Sequence, residues 1–396
     1  MQTEKHGMVM YKDGGENFGL ILTGGGARGA YQVGVLKAVA EISKSKKVAF
    51  PVISGVSVGA INAVGLASRF SNFKRSVECM ETFWMALRTD HVFDVRFRKI
   101  ALTGLRMIIS ELLPAIFKKA PNSLLNTEPL RQCLARNIDL ESMSRAIDEK
   151  DLSAVSVTCS GYSSGHAVTF FQSKPNKKNW HRVRRDGVRQ KLTLDHVMAS
   201  SALPFLFPAV QIGEEFYGDG ALRLNSPLAP AIHLDASRLL IIGTRDELGP
   251  VAPPEGSAPQ HPTIGDIGGY ALDTLFNDSL EADIERLERI NKTLGRIPTE
   301  QRAAMKMQQI DFLTINPSKD LPQLALEHVN EMPRALRWIL RRKKSVQNNG
   351  RLESYLLFEP GYVGSLIELG YQDAKAKAAE IRAFLGGTEK SGEIAA

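Results

Sequence analysis

The sequence predicts an α/β protein with a mainly helical C-terminal region, and three stretches carry that prediction. Phe18-Gly-Leu-Ile-Leu-Thr23 reads as a buried strand and runs through Gly24-Gly25-Gly26-Ala27-Arg28-Gly29. Ala30 to Glu41 then has helical periodicity, with Val33, Leu36, Val39 and Ala40 on one face. A second apolar, β-branched run ends at Ile53 and turns through Gly55-Val-Ser57-Val-Gly59 into a small-residue helix from Ala60. Beyond Ile264 the pattern is helical almost throughout. Strands alternating with helices place the chain in the α/β class.

At 396 residues the chain has room for one large domain or two average ones. Its apolar fraction of 43% is ordinary and its charges are well spread, as in a soluble globular protein with an ample core. No apolar run approaches the about 20 residues that span a bilayer. Met1 to Glu16 is polar and lacks the apolar h-region of a secretory signal. The expected location is therefore the cytoplasm, or loosely on a membrane surface. Cys79, Cys133 and Cys159 are far apart and lack metal-ligand spacing, which suits reduced thiols. The formal charge of +7 favours an anionic partner, and by itself leaves nucleic acid and phospholipid both open.

The first glycine run matches G-x-G-x-x-G between a strand and a helix, so a dinucleotide site must be weighed. That fingerprint needs an acidic residue about 20 positions on, at the end of the second strand. Here the second strand ends at Ser54-Gly55-Val56-Ser57. A P-loop fails as well, because no Gly-Lys-Ser/Thr follows. Exposed amides at a helix N-terminus then suit a different anion, a tetrahedral oxyanion two strands' width from Ser57. Gly55 to Gly59 has the setting of a nucleophile elbow, where the bend leaves almost no room for side chains two positions either side of the serine. The following helix aims its N-terminal amides and positive dipole end at the hydroxyl.

Arg69 to Asp94 is largely helical, with Phe73, Val77, Met80, Phe83, Trp84 and Leu87 as a core stripe. Arg96 to Lys119 is apolar with basic ends, and reads either as a buried helical hairpin or as a cap that touches lipid. Another helix starts at Asn126-Thr127-Glu128-Pro129. Leu152 to Thr158 and Ala167 to Gln172 are strands joined by Gly161-Tyr-Ser163-Ser-Gly165. This second G-x-S-x-G has strand on both sides, so it reads as a hairpin turn and Ser163 is rejected as nucleophile. Lys174 to Lys191 reads as a solvated basic loop, with phosphate head groups as the alternative contact. Thr193 caps a helix through Ser201, and Gln211 to Tyr217 is a tight hairpin leading into Gly218-Asp219-Gly220-Ala221. A strand spans Leu239 to Gly243, and Pro250 to Pro262 is a surface linker. Helices are expected over Ile264–Leu294, Thr299–Gln309, Leu321–Lys344 and Val363–Leu385, with a strand at Ile310–Ile315 joining the sheet. The third helix sets Leu336, Trp338, Ile339 and Leu340 among Arg and Lys residues, fitting either an anionic membrane surface or a solvated basic end.

A serine hydroxyl is a poor nucleophile until a neighbour takes its proton. His233, His261 and His328 follow Ser57 but none sits in a glycine-flanked strand-end loop, and His166, His181 and His196 are no better framed. Asp219, between Gly218 and Gly220, is the best-framed acid, although Asp-Gly is also a common turn signal.

Gly24–Gly29, Gly55–Gly59, Ala199-Ser-Ser-Ala-Leu-Pro204 and Asp219-Gly-Ala221, in this order and spacing, resemble the patatin-like phospholipase family. The resemblance covers about residues 17 to 245, and Leu366 to Ala374 also looks like bacterial members. It implies a three-layer α/β/α fold with a mostly parallel central sheet, and a Ser–Asp dyad without histidine. Ser57 matches the nucleophile and Asp219 its base. Gly24, Gly25, Gly26, Ala27, Arg28 and Gly29 match the oxyanion-hole loop. Gly55 and Gly59 belong to the elbow motif, and Gly220 and Ala221 to the acid loop. The implied activity is acyl transfer from a phospholipid or other acyl ester to water, with no cofactor, no metal and no nucleic acid. A thioesterase or acyltransferase on carrier-bound acyl groups, or a silent lipid-binding protein, are the competing readings. The expected organisation is a polar segment 1–16, a catalytic domain 17–245 and a helical region 246–396 packed on it. Gly26→Val is expected to block turnover and leave folding nearly intact.

Overall fold

Side chains that alternate along each strand divide the hydrophobic interior in two. The computed structural model describes residues 17–43, 50–94, 123–149, 151–246, 264–305, 307–340 and 350–386, with a few isolated positions between them. β1 (Phe18–Leu22) leads through a short 3-10 turn at Gly26–Arg28 into α1 (Gly29–Ser43). β2 (Val52–Val56) leads through Ser57 into α2 (Val58–Ala67), and α3 (Phe73–Ala86) follows. α4 (Glu128–Asn137) and α5 (Leu140–Asp148) precede β3 (Ala154–Gly161) and β4 (Ala167–Ser173). Then come β5 (Trp180–Arg182), β6 (Arg185–Arg189), α6 (Leu194–Ser200), β7 (Val210–Ile212), β8 (Glu215–Asp219) and β9 (Arg238–Ile242). The C-terminal region holds the long α7 (Ile264–Leu294), β10 (Asp311–Ile315), α8 (Arg351–Leu356), α9 (Pro360–Ala376) and α10 (Ala378–Gly386).

One sheet runs in the order β10-β9-β1-β2-β3-β4-β6-β5, with the β7–β8 hairpin attached to β3. β10, β9, β1, β2 and β3 are mutually parallel neighbours, and β4 returns antiparallel to β3. Because strand side chains alternate, Leu20, Leu22, Leu240 and Ile242 join the core formed with Tyr31, Ile61, Trp84 and Leu366. Ile21, Leu239 and Ile241 face the other way, onto Leu228, Ala231, Leu280 and Leu287. Helices therefore cover both faces, and the fold is the three-layer α/β/α architecture with a mostly parallel central sheet.

The C-terminal region enters this architecture directly. The strand expected at 310–315 is β10, paired in parallel with β9 at the sheet edge. α9 lies so close to α1 that a Cβ at Gly34 would overlap the Ile367 carbonyl, and one at Gly370 the Tyr31 carbonyl.

Some local readings change. The stretch expected as a basic loop at 174–191 forms β5 and β6, held to the sheet by β4. The helix expected over 321–344 breaks into Leu321–Glu327 and Arg334–Leu340, because Pro333 between them supplies no N–H to continue the ladder. Gly161–Gly165 is the turn of the antiparallel β3–β4 hairpin, as its flanks predict. The polar segment 1–16, nearly all of the apolar stretch 96–119, the Pro-rich linker and the basic run 341–344 lie outside the described residues.

Candidate active site

Parallel β1 and β2 end side by side, with Leu22 paired to Gly55, so their two turns meet at one edge of the sheet. The glycine loop is thus one strand spacing from Ser57, not the two expected from sequence. A Cβ added to Gly24 would lie 3.1 Å from the Cβ of Ser57.

Ser57 caps α2 with φ 55 and ψ −129, a conformation that side-chain-bearing residues rarely adopt. Crowding beside it explains both motif glycines. An added Cβ at Gly55 would overlap the Gly59 carbonyl, and one at Gly59 the carbonyl of Leu22. Neighbouring serines hold the bend in place. The Ser57 N–H donates to Ser200 Oγ at 2.9 Å, and Ser200 Oγ donates to the Thr158 carbonyl at 2.6 Å. Ser201 Oγ donates to the carbonyl of Ser57 at 3.2 Å. The Ala199–Pro204 stretch carried no assigned role in the sequence. Its hydroxyls brace the serine's backbone.

β8 pairs antiparallel with the end of β3, next to β2, and this carries Asp219 to the elbow. Ser57 Oγ donates to Asp219 Oδ2 at 2.6 Å, and the Ala221 N–H donates to Oδ1 at 2.9 Å. The Asp219 N–H donates to the Ala202 carbonyl at 2.9 Å, fixing the strand end. A Cβ on Gly220 would overlap the carbonyl of Thr158, so the acid loop also needs a glycine. The Asp219 side chain is fully buried. Burial pushes its carboxyl up to about 7, while the Ser57 hydroxyl and the Ala221 amide pull it part of the way back. A carboxyl that ionises near neutrality and already accepts the serine's hydrogen bond has the pKa and geometry of a general base.

Four of the histidines weighed from the sequence are engaged elsewhere. His196 closes the capping box of α6 with Thr193, and its burial lowers it to about 4. His166 pairs with Asp186 at 2.7 Å, His328 with Glu331 at 2.7 Å, and His233 stacks on Trp180.

The glycine loop is clamped by the C-terminal region. Gly26 has φ 55, and a Cβ there would overlap the carbonyl of Tyr355 in α8. Gly26→Val therefore cannot leave folding nearly intact, as the sequence alone led one to expect. Gly25, at φ 155, lies against Thr244, whose hydroxyl donates to the Gly24 carbonyl at 2.5 Å. Ala27 is buried in the turn, and Gly29 opens α1 against Val58 and Trp84. Arg28 reaches into the C-terminal region. Its guanidinium donates to Ser354 Oγ at 2.9 and 2.7 Å, pairs with Asp273 at 3.2 Å and lies 3.9 Å from the Tyr355 ring centre. Tyr355 closes the network by donating to Asp273 at 2.6 Å. No local signal marks Asp273, Ser354 or Tyr355, because their partner lies at the opposite end of the chain.

Ser57 and Gly26 border one apolar cavity of about 40 Å³, walled by Ile61, Phe83, Leu87, Leu130 and Phe207. The site therefore combines a strained serine, a buried carboxyl and helix-start amides beside an apolar recess.

The family model described as patatin-like phospholipase matches residues 20–232 of the chain. A search of curated proteins finds no match. Among solved structures the chain is similar to the crystal structure of VipD from Legionella pneumophila, at 12% identity and a TM-score of 0.34. That similarity covers 92% of this chain and 67% of VipD.

Proposed function

Because the chain belongs to the patatin-like phospholipase family, we propose that it hydrolyses fatty-acyl esters of phospholipid or lysophospholipid through Ser57 and Asp219. The observation that carries this reading is the 2.6 Å hydrogen bond from the Ser57 hydroxyl to the buried Asp219 carboxylate.

In this scheme Asp219 takes the serine proton as Ser57 Oγ attacks the ester carbonyl. The amides at the start of the Gly24–Gly29 loop receive the tetrahedral oxyanion. The first N–H groups of a helical turn have no partner inside it, and Gly26 borders the same cavity as Ser57. α2 adds its N-terminal dipole to the same locus. Asp219 next delivers the proton to the departing lysolipid or glycerol oxygen, leaving the acyl group on Ser57. Water then attacks that ester, giving its proton to Asp219. Collapse returns the proton to Ser57 Oγ and frees the fatty acid. Residues 17–245 supply all of these groups, and the region from 246 on acts by holding the glycine loop through Arg28 and Gly26. A net charge of +7 supports peripheral contact with an anionic lipid surface, where such a substrate is met. No helix among the described residues is long and apolar enough to cross a membrane.

The test is release of free fatty acid from phospholipid vesicles, acylglycerol and acyl-CoA in parallel. Ser57→Ala and Asp219→Ala should each remove it, whereas His196→Ala and His233→Ala should retain it. A fluorophosphonate should label the wild type and not Ser57→Ala. Activity confined to acyl-CoA would replace this reading with a thioesterase, and no labelling with a lipid-binding protein.

A further inference from the structure

The cavity beside Ser57 is too small for the acyl chain that the proposed reaction requires. Its volume of about 40 Å³ compares with the about 30 Å³ that a single water takes in the liquid. A second cavity, of about 350 Å³, adjoins it and opens toward the surface, where Arg69, Thr82, His91 and Asn137 join its mainly apolar lining. That volume is within the about 300–1,000 Å³ range of small-molecule sites. Ile61, Phe83 and Leu87 line both cavities and so form the wall between them.

Three helices run from one cavity to the other. On α2, Ser57 and Ile61 face the small cavity, while Ile61 and Gly65 face the large one. These positions are four residues apart and share a helix face. Eight residues of helix separate Ser57 from Gly65, a rise of about 12 Å. On α3 and just beyond it, Leu87 and Phe83 form the shared wall and Cys79 lines the large cavity. On α4 and at its C-terminal cap, Leu130 faces the small cavity, and Leu134 and Ile138 the large one. Each helix therefore offers an i, i+4 stripe that runs from the small cavity into the larger one, and the stripe on α2 starts at Ser57 itself.

We propose that the fatty-acyl chain of the substrate runs from Ser57 along α2 into this second cavity, and that Ile61, Phe83 and Leu87 form the constriction that selects acyl length. The inference rests on the reading of Ser57 as an ester nucleophile. Phe83 is only half-buried, so its ring has room to turn as a chain passes. Each methylene that reaches the apolar wall should raise kcat/KM by about fourfold until the cavity is full.

Gly65 gives a direct test. A Cβ there meets nothing closer than Met80 Cγ at 3.9 Å, so a larger side chain can enter the cavity without displacing backbone. Gly65→Leu also favours the helix, because leucine is the better helix former. The measurement is kcat/KM on p-nitrophenyl esters from acetate to palmitate, read as the long-chain to short-chain ratio. In Gly65→Leu, with its fold checked by a thermal melt, this ratio should fall at least tenfold. In Phe83→Ala, which widens the constriction, it should rise. Binding of the fluorescent fatty acid cis-parinaric acid to Ser57→Ala reads the cavity without turnover, and adding Gly65→Leu should weaken it at least tenfold. Ester hydrolysis whose chain-length ratio and parinarate binding both ignore Gly65→Leu overturns the cavity assignment and leaves the hydrolase reading standing. No ester hydrolysis by the wild type, with parinarate binding still lost in Gly65→Leu, sinks the hydrolase reading and keeps the cavity as an acyl site. Should Gly65→Leu fail to fold, an unchanged ratio in Phe83→Ala overturns the proposal.

Discussion

Asp219 pays for its place beside Ser57 in stability. Its carboxyl ionises near 7 in the fold, against 3.8 ordinarily, chiefly because it is buried. Between about pH 4 and pH 7 the native state therefore holds a proton that the unfolded chain has released. Stability contributed by this group consequently falls as pH rises through that window. Asp219→Asn should be more stable than the wild type at pH 8, by up to about 4 kcal/mol, and the gap should close near pH 4. Urea unfolding at the two pH values measures it. The same ionisation should shape catalysis in the opposite sense. In the proposed role of base Asp219 must be deprotonated, so kcat/KM on a soluble ester should rise with pH with a midpoint near 7. His196 sits near 4 and cannot supply that limb, so His196→Ala should retain it. Ser57 could be singled out locally, because the elbow's demand for flanking glycines is written within five residues. Asp219 could only be framed as a candidate, since an Asp-Gly turn looks the same wherever its side chain points.

At the scale of elements, the strand–glycine loop–helix at 18–43 was legible, but what holds the loop was not. Arg28 fastens it to α7 and α8 through Asp273, Ser354 and Tyr355. Removing one partner of a buried ion pair leaves the others uncompensated, so Arg28→Ala should cost about 3 kcal/mol or more. Its thermal midpoint should drop accordingly. Arg28→Lys should recover only part of the loss, because one ammonium cannot replace both the forked hydrogen bonds and the stacking on Tyr355. The β5–β6 pair was misread as loop because its sequence is basic and polar, as an edge hairpin's can be. Only pairing with β4 makes it sheet. The helix broken at Pro333 shows the converse, a local rule present in the sequence and outweighed there by a persuasive apolar pattern.

For the whole molecule, β10 extends the sheet beyond β9, and α9 packs backbone to backbone on α1 through Gly34 and Gly370. A chain ending at Asp246 would expose the β9 edge, uncover α1 and strip Arg28 of Asp273, Ser354 and Tyr355 together. Such a fragment should not unfold cooperatively, and should lack the sharp thermal transition of the full chain. Measurable ester hydrolysis by that fragment would show that the glycine loop holds its shape unaided.

The sequence by itself determined the α/β class, the sharp strand–helix bend at Ser57, the glycine loop and the order of the motifs. Those features rest on periodicity and close steric rules, which act over a few residues. The motif set pointed to Asp219 as well, but tertiary structure alone decided how that acid reaches Ser57, what clamps the loop and where a second cavity opens. The Ser57–Asp219 bond joins residues 162 positions apart, and the Arg28–Ser354 bond residues 326 apart. Contacts of that range depend on strand order and helix packing, which no local pattern encodes.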